Sequence, residues 1–206
     1  MSFSIYQLKP RFQQLLQPVL ASLAKRRVTP NQITLLAMLL SIAYGIALAC
    51  FPQDTRLWLG LPLFMLVRMA LNAIDGMLAN FTQQKTAFGA ILNEVADQVS
   101  DAVLVLPFAL VSGIHLPLLI AVAMLALLAE FAGVAALLAG STRRFDGPMG
   151  KSDRAFAFGL LALLVAFQIT ATWLNAVLGI VLLLLLWTLF NRIKRALPHP
   201  AAPPTP

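Results

Sequence analysis

Beyond Val28 the chain reads as long apolar runs separated by short polar breaks. Six runs approach the roughly 20 residues that a helix needs to cross a hydrocarbon core. They lie near 33–52, 58–80, 87–111, 116–139, 155–173 and 175–193. The first half of the third run carries acids and is only weakly apolar, so its placement leans on its neighbours. Ahead of the runs, Phe12, Leu15, Leu16, Val19, Leu20 and Leu23 recur at helical spacing among Arg11, Gln13, Gln14, Lys25 and Arg26. That pattern suits a helix lying in the headgroup plane, with Pro18 as an expected kink. The closing stretch "LPHPAAPPTP" has no apolar period and reads as a disordered tail. The expected fold is an all-α integral membrane protein with six transmembrane helices. Residues 1–28 form a cytoplasmic amphipathic interfacial segment, 29–195 the membrane domain and 196–206 the tail.

Composition fixes the class independently: of 206 residues, 60% are hydrophobic and 11% charged, far from a soluble globular domain. Lys and Arg then orient the spans. With a cytoplasmic N-terminus, all fifteen bases except Arg56 and Arg68 fall in cytoplasmic segments, which places both termini inside. The formal charge of +7 is spread over juxtamembrane loops, so anionic lipid headgroups explain it better than nucleic acid does. The N-terminus lacks the basic start, uninterrupted apolar core and small-residue cleavage site of a signal peptide. Cys50 is the single cysteine, which excludes a disulfide framework and a Cys metal site. "VTPNQIT" reads as a helix start, with Thr29 and Pro30 opening it and Asn31 and Thr34 able to cap backbone donors.

The acids bring the chemistry. On the second span Arg68, Asn72, Asp75 and Ala79 are spaced by four, three and four and share a face, with Gly76 beside them. On the third, Gly89, Asn93, Asp97 and Asp101 are spaced by fours. A short loop joins the two spans, so their polar faces can meet near the cytoplasmic end. Carboxylates and amides so gathered suit hard divalent cations rather than zinc or copper. Pairing with Arg68 or Lys85 simply to fix helix register is the structural alternative, and spacing alone does not separate metal catalysis from transport.

This stretch resembles the signature of the CDP-alcohol phosphatidyltransferases, D-x-x-D-G-x-x-A-R-x(8)-G-x-x-x-D-x-x-x-D. In register it reads Asn72, Asp75, Gly76, Ala79, Asn80, then Gly89, Asn93 and Asp97, with every spacing kept. "TPNQIT" also resembles the family's opening to its first span. The resemblance implies that an acceptor alcohol attacks the lipid-side phosphorus of CDP-diacylglycerol and CMP leaves. It implies metal ligands at Asp75, Asp97, Asn72 and Asn93 for one or two Mg²⁺ or Mn²⁺ ions, with Asp97 also the candidate general base. Gly76 and Ala79, with Asn31 and Gly89, are the implied nucleotide contacts. It further implies a bacterial inner-membrane enzyme with its site on the cytoplasmic side, and a homodimer would match the family.

Three departures stand out. Asn72 and Asn93 replace acids, leaving two formal charges at signature positions, and Asn80 replaces the usual Arg. Weaker ion binding, or a single ion, is the expected consequence. The loop "STRRFDGPMGKSDRA" supplies Arg143, Arg144 and Lys151 as candidate contacts for an acceptor phosphate, around a turn at Gly147 and Pro148. Glu130 is a lone acid in a span that could pair with Arg68, and its expected role is structural rather than catalytic. Two other readings stay open: a weak or inactive relative that binds CDP-lipid or a partner enzyme, and a transporter. Against the transporter, no polar residues continue through the later spans to line a path. The acceptor alcohol is not legible.

Overall fold

The structure is a computed structural model that describes residues 8–197, with side chains from Phe12 onward. Seven α-helices account for the described chain: α1 Leu8–Lys25, α2 Pro30–Cys50, α3 Thr55–Phe81, α4 Ala87–Val105, α5 Leu116–Ala135, α6 Lys151–Ala166 and α7 Ala171–Ala196. Short 3-10 segments, Leu106–Leu110 and Ala136–Ala139, prolong α4 and α5. Four helices are both long and apolar enough to cross a membrane: Pro30–Cys50, Thr55–Phe81, Leu116–Ala139 and Ala171–Ala196. The other two expected spans differ for physical reasons. Helix α4 carries Glu94, Asp97 and Asp101, and α6 has only 16 residues, about 24 Å at helical rise. The break between the last two helices falls at Gln168, whose φ of 53° ends α6, so α7 begins at Ala171 rather than near 175. The expected tail begins one residue before Leu197 and otherwise lies outside the described residues, as do residues 1–7.

The chain divides into two compact units, Met1–Pro107 and Phe108–Pro206. In the first, α2 packs along both α3 and α4, and α1 packs on α3. Gly45 makes the α2–α4 approach close, because a Cβ there would strike the carbonyl of Val103. Helices α3 and α4 meet chiefly through polar side chains. Helix α1 runs through Pro18, and its Leu20 is buried against Ile33, Ile74 and Leu78, with Leu16, Leu23 and Ala24 packed on that cluster. Leu15 and Val19, on the other side of α1, remain exposed. The amphipathic segment therefore has an inward stripe that packs on protein as well as an outward one.

The start of α2 differs in detail from expectation. Thr29 is the N-cap and forms a reciprocal capping box with Gln32. Thr34, expected as a cap, instead lies one turn inside the helix and donates to Asp75.

In the second unit α7 packs against α5 and α6. The 140–150 connection is tied down through backbone and side chain: Arg144 N–H donates to the Gly133 carbonyl, and Met149 N–H to Thr188 Oγ1. Gly147 has φ 119° and lies so close to Thr188 that a Cβ would collide with it, so glycine is required there.

Candidate active site

The acids of α3 and α4 are positioned by capping and packing chemistry that begins outside them. The α3–α4 loop is short, and Thr86 caps α4, its Oγ1 accepting from Gly89 N–H at 2.9 Å. Gly89 then lies against Asn31 at the start of α2, where an added Cβ would meet Asn31 Oδ1 at 2.9 Å. Those two residues, both expected at the nucleotide, are thus brought together. Gly76 has nothing within 4 Å of its would-be Cβ, and it is exposed, so the surface beside the signature is open.

Asp75 and Asp97 are buried, 6% and 4% exposed. Thr34 Oγ1 donates to Asp75 Oδ2 at 2.8 Å, across from α2 to α3. Asn72 Nδ2 donates to Asp97 Oδ1 at 2.8 Å, across from α3 to α4. The expected meeting of the two polar faces is therefore present. Arg68 joins it: its Nη1 lies 2.6 Å from Asp101 Oδ1, and its Nη2 donates to the Asp97 carbonyl at 3.2 Å and lies 3.6 Å from Asp97 Oδ1. Asn93 Oδ1 is buried and has no hydrogen-bond partner among the described residues. A buried amide oxygen without a donor is costly unless something else occupies it. Asn80, in place of the signature Arg, turns back along its helix and donates to the Gly76 carbonyl at 2.9 Å.

No cluster of three or more His, Cys, Asp or Glu that could hold a metal occurs among the described residues. The reason is visible in the sequence, since Asn occupies two of the four signature acid positions. The oxygen donors still fit a hard cation: two carboxylates on neighbouring helices and an orphaned amide oxygen one turn before Asp97. Two formal charges suit one ion better than two.

The second unit holds another charged cluster. Glu130 Oε1 accepts from Arg154 Nη1 at 2.7 Å and lies 3.2 Å from Arg192 Nη1, while Arg143 Nη2 lies 3.6 Å from Oε2. Arg192, 1% exposed, also donates to the carbonyls of Ala129 and Asp146. Glu130 and Arg68 each have charged partners within their own unit. Of the three loop bases, Arg143 reaches Glu130 and lies 4.6 Å over the Phe145 ring. Arg144 donates to the Arg195 carbonyl, and Lys151 opens α6.

Sequence reasoning missed Arg154 and Arg192 as buried residues, having counted them with the loop bases. A signal was present: both stand within a turn or two of a long apolar helix, opposite a span that contains a lone acid.

The profile of the CDP-alcohol phosphatidyltransferases matches residues 27–190. The chain belongs to that family. It is 44% identical over 195 residues to inner membrane protein YnbA of Escherichia coli (strain K12), spanning 94% of this chain and 96% of that one. It is 33% identical over 92 residues to a phosphatidylinositol phosphate synthase of Corynebacterium glutamicum, covering 45% of this chain and 40% of that one. Its fold is like that of the crystal structure of Mycobacterium tuberculosis phosphatidylinositol phosphate synthase with CDP-DAG bound. There the TM-score is 0.73 at 20% identity, over 89% of this chain and 94% of the other. The chain is thus a membrane protein of a phosphatidyltransferase family, and the matched region contains every signature position described above.

Proposed function

We propose that the protein transfers a phosphatidyl group from CDP-diacylglycerol to the hydroxyl of a small polar alcohol and releases CMP. The observation that carries this reading is the joined pair of faces, with Asn72 bonded to Asp97, Asp75 held by Thr34, and Asn93 Oδ1 buried and unpartnered beside them. Asp75, Asp97 and Asn93, with the Oδ1 of Asn72, would hold a divalent ion. That ion, when bound, offsets charge on the pyrophosphate. The chain's own groups do the rest. Asp97 accepts the proton of the acceptor hydroxyl, and the buried bond from Asn72 keeps one of its oxygens fixed while it does so. Gly76 and Ala79, with Asn31 and Gly89, leave room for the cytidine. The open surface at Gly76 supports that assignment.

Arg143, Arg144 and Lys151 are the proposed contacts for a phosphate on the acceptor. Arg144 lines an open polar depression with Ser141 and Arg195, which supports its part in this. In the membrane α2 to α7 supply six crossings with both termini cytoplasmic, α4 and α6 being sheltered by the longer apolar helices. Residues 1–28 lie at the cytoplasmic interface, residues 29–195 form the membrane domain, and the site opens to the cytoplasm. A homodimer accords with the family. Cysteine-accessibility labelling at Lys85 and at Arg56 tests the orientation, with labelling expected from opposite sides.

Purified protein is to be incubated with CDP-diacylglycerol, Mg²⁺ or Mn²⁺ and a panel of alcohols, and CMP measured. Release that depends on the cation and disappears in Asp75→Ala and Asp97→Ala is the expected result. Robust release in excess chelator sinks the metal mechanism. A second reading, a family member that binds CDP-lipid without turning it over, is favoured by one observation: Arg68 approaches Asp97 and draws on its charge. Binding of CDP-lipid with no CMP from any alcohol would select it.

A further inference from the structure

A guanidinium beside a cation site is an obstacle, and Arg68 is 4% exposed inside α3. Its contacts are unequal. Nη1 is 2.6 Å from Asp101 Oδ1, whereas the approach to the Asp97 carboxylate is 3.6 Å, and Nη2 spends its hydrogen bond on the Asp97 main-chain carbonyl. Asp97 and Asp101 lie four residues apart on one face of α4, so Arg68 faces both and is held by the second.

We propose that Asp101 is a charge-balancing residue of the active site. By engaging Arg68 it keeps the carboxylate of Asp97 available to a divalent cation. Asp101 is outside the family signature, and its need follows from this chain's own departures. With Asn at positions 72 and 93, the signature brings two carboxylates; Arg68 offsets one, and Asp101 restores it. The main-chain bond from Arg68 adds a second function, tethering α4 to α3 at the residue that must be placed. Arg68 and Asp101 are thus positioning residues acting through Asp97.

This inference rests on the reading of Asp97 as a metal ligand, so the test measures binding directly. Mn²⁺ titration of purified full-length protein, with free Mn²⁺ followed by electron paramagnetic resonance, gives a half-saturation concentration without turnover. Asp101→Asn leaves Arg68 facing Asp97 alone, and half-saturation should rise about ten-fold, as expected when a nearby counter-charge is lost from a low-dielectric site. Asp101→Glu should return most of the loss. Arg68→Gln combined with Asp101→Asn removes both charges, and should bind within about three-fold of the wild type, the coupling that a double-mutant cycle detects. That double variant removes the buried guanidinium together with its counter-charge, so it reports on the idea even where Asp101→Asn folds poorly. A wild type that binds Mn²⁺ with Asp101→Asn unchanged, or a double variant as weak as the single one, overturns the charge-balancing role alone. A wild type that binds no Mn²⁺ overturns the metal site, and the inference with it.

Discussion

In the first unit the Thr34 hydroxyl donates to Asp75 and the Asn72 amide to Asp97, each at 2.8 Å, while Arg68 stands 3.6 Å from the Asp97 carboxylate. Glu130 in the second unit is instead gripped by guanidiniums, Arg154 at 2.7 Å and Arg192 at 3.2 Å, with Arg143 further out at 3.6 Å. Neutral donors set where a carboxylate points and leave its charge to act on a ligand. Guanidiniums set its position by cancelling the charge. The same ingredient, an acid among apolar helices, is thus a proposed ligand in one place and a clamp between helices in the other.

Substitutions can break that contrast. Asp97→Asn removes a charge meant for the reaction, and CMP release should fall about 10³-fold, within the range for loss of a positioned base. Its thermal unfolding in detergent should stay close to that of the wild type. Glu130→Ala does the reverse. It leaves the buried Arg154 and Arg192 without their carboxylate, and unfolding stability should drop by about 3–5 kcal/mol; a thermal or chemical denaturation series reads this. If Glu130→Ala unfolds like the wild type while activity vanishes, the clamp is instead part of the site.

Two further changes sharpen the contrast within the first unit. Gly76→Ala adds a Cβ with no atom within 4 Å, so it should fold normally and raise KM for CDP-diacylglycerol about ten-fold, as an extra methyl group in a binding space does. Asn93→Asp adds a carboxylate where a buried oxygen has no partner, and Mn²⁺ half-saturation should fall by about ten-fold, with the metal-free protein less stable. Unchanged binding in that variant would show that Asn93 lies outside the ligand set.

The sequence made the helices legible because apolar length and turn residues report directly on local structure. Thr29 fell where capping chemistry placed it. It also showed that α3 and α4 would share polar faces, since fixed spacing along a helix is a statement about one face. The partners that fix the charges were harder. Thr34 looked like a cap because its neighbours do cap, and only the α2–α3 contact reveals that its hydroxyl reaches Asp75. Arg154 and Arg192 looked like solvated loop bases because a sequence gives no depth, although both are almost fully buried. The partners of Glu130, Arg154 and Arg192, were not legible for the same reason: long-range pairing depends on which helices pack, and apolar periodicity is silent on that.

Helix α1 touches Ile74 and Leu78, and Asp75 lies between those two residues on the same helix. Removing the N-terminal segment would therefore strip the cover from side chains next to a proposed ligand. A shortened gene product would lose more than a membrane foothold. The amphipathic helix and the signature helix share one packed cluster, so a change on the inner face of either is felt by the other.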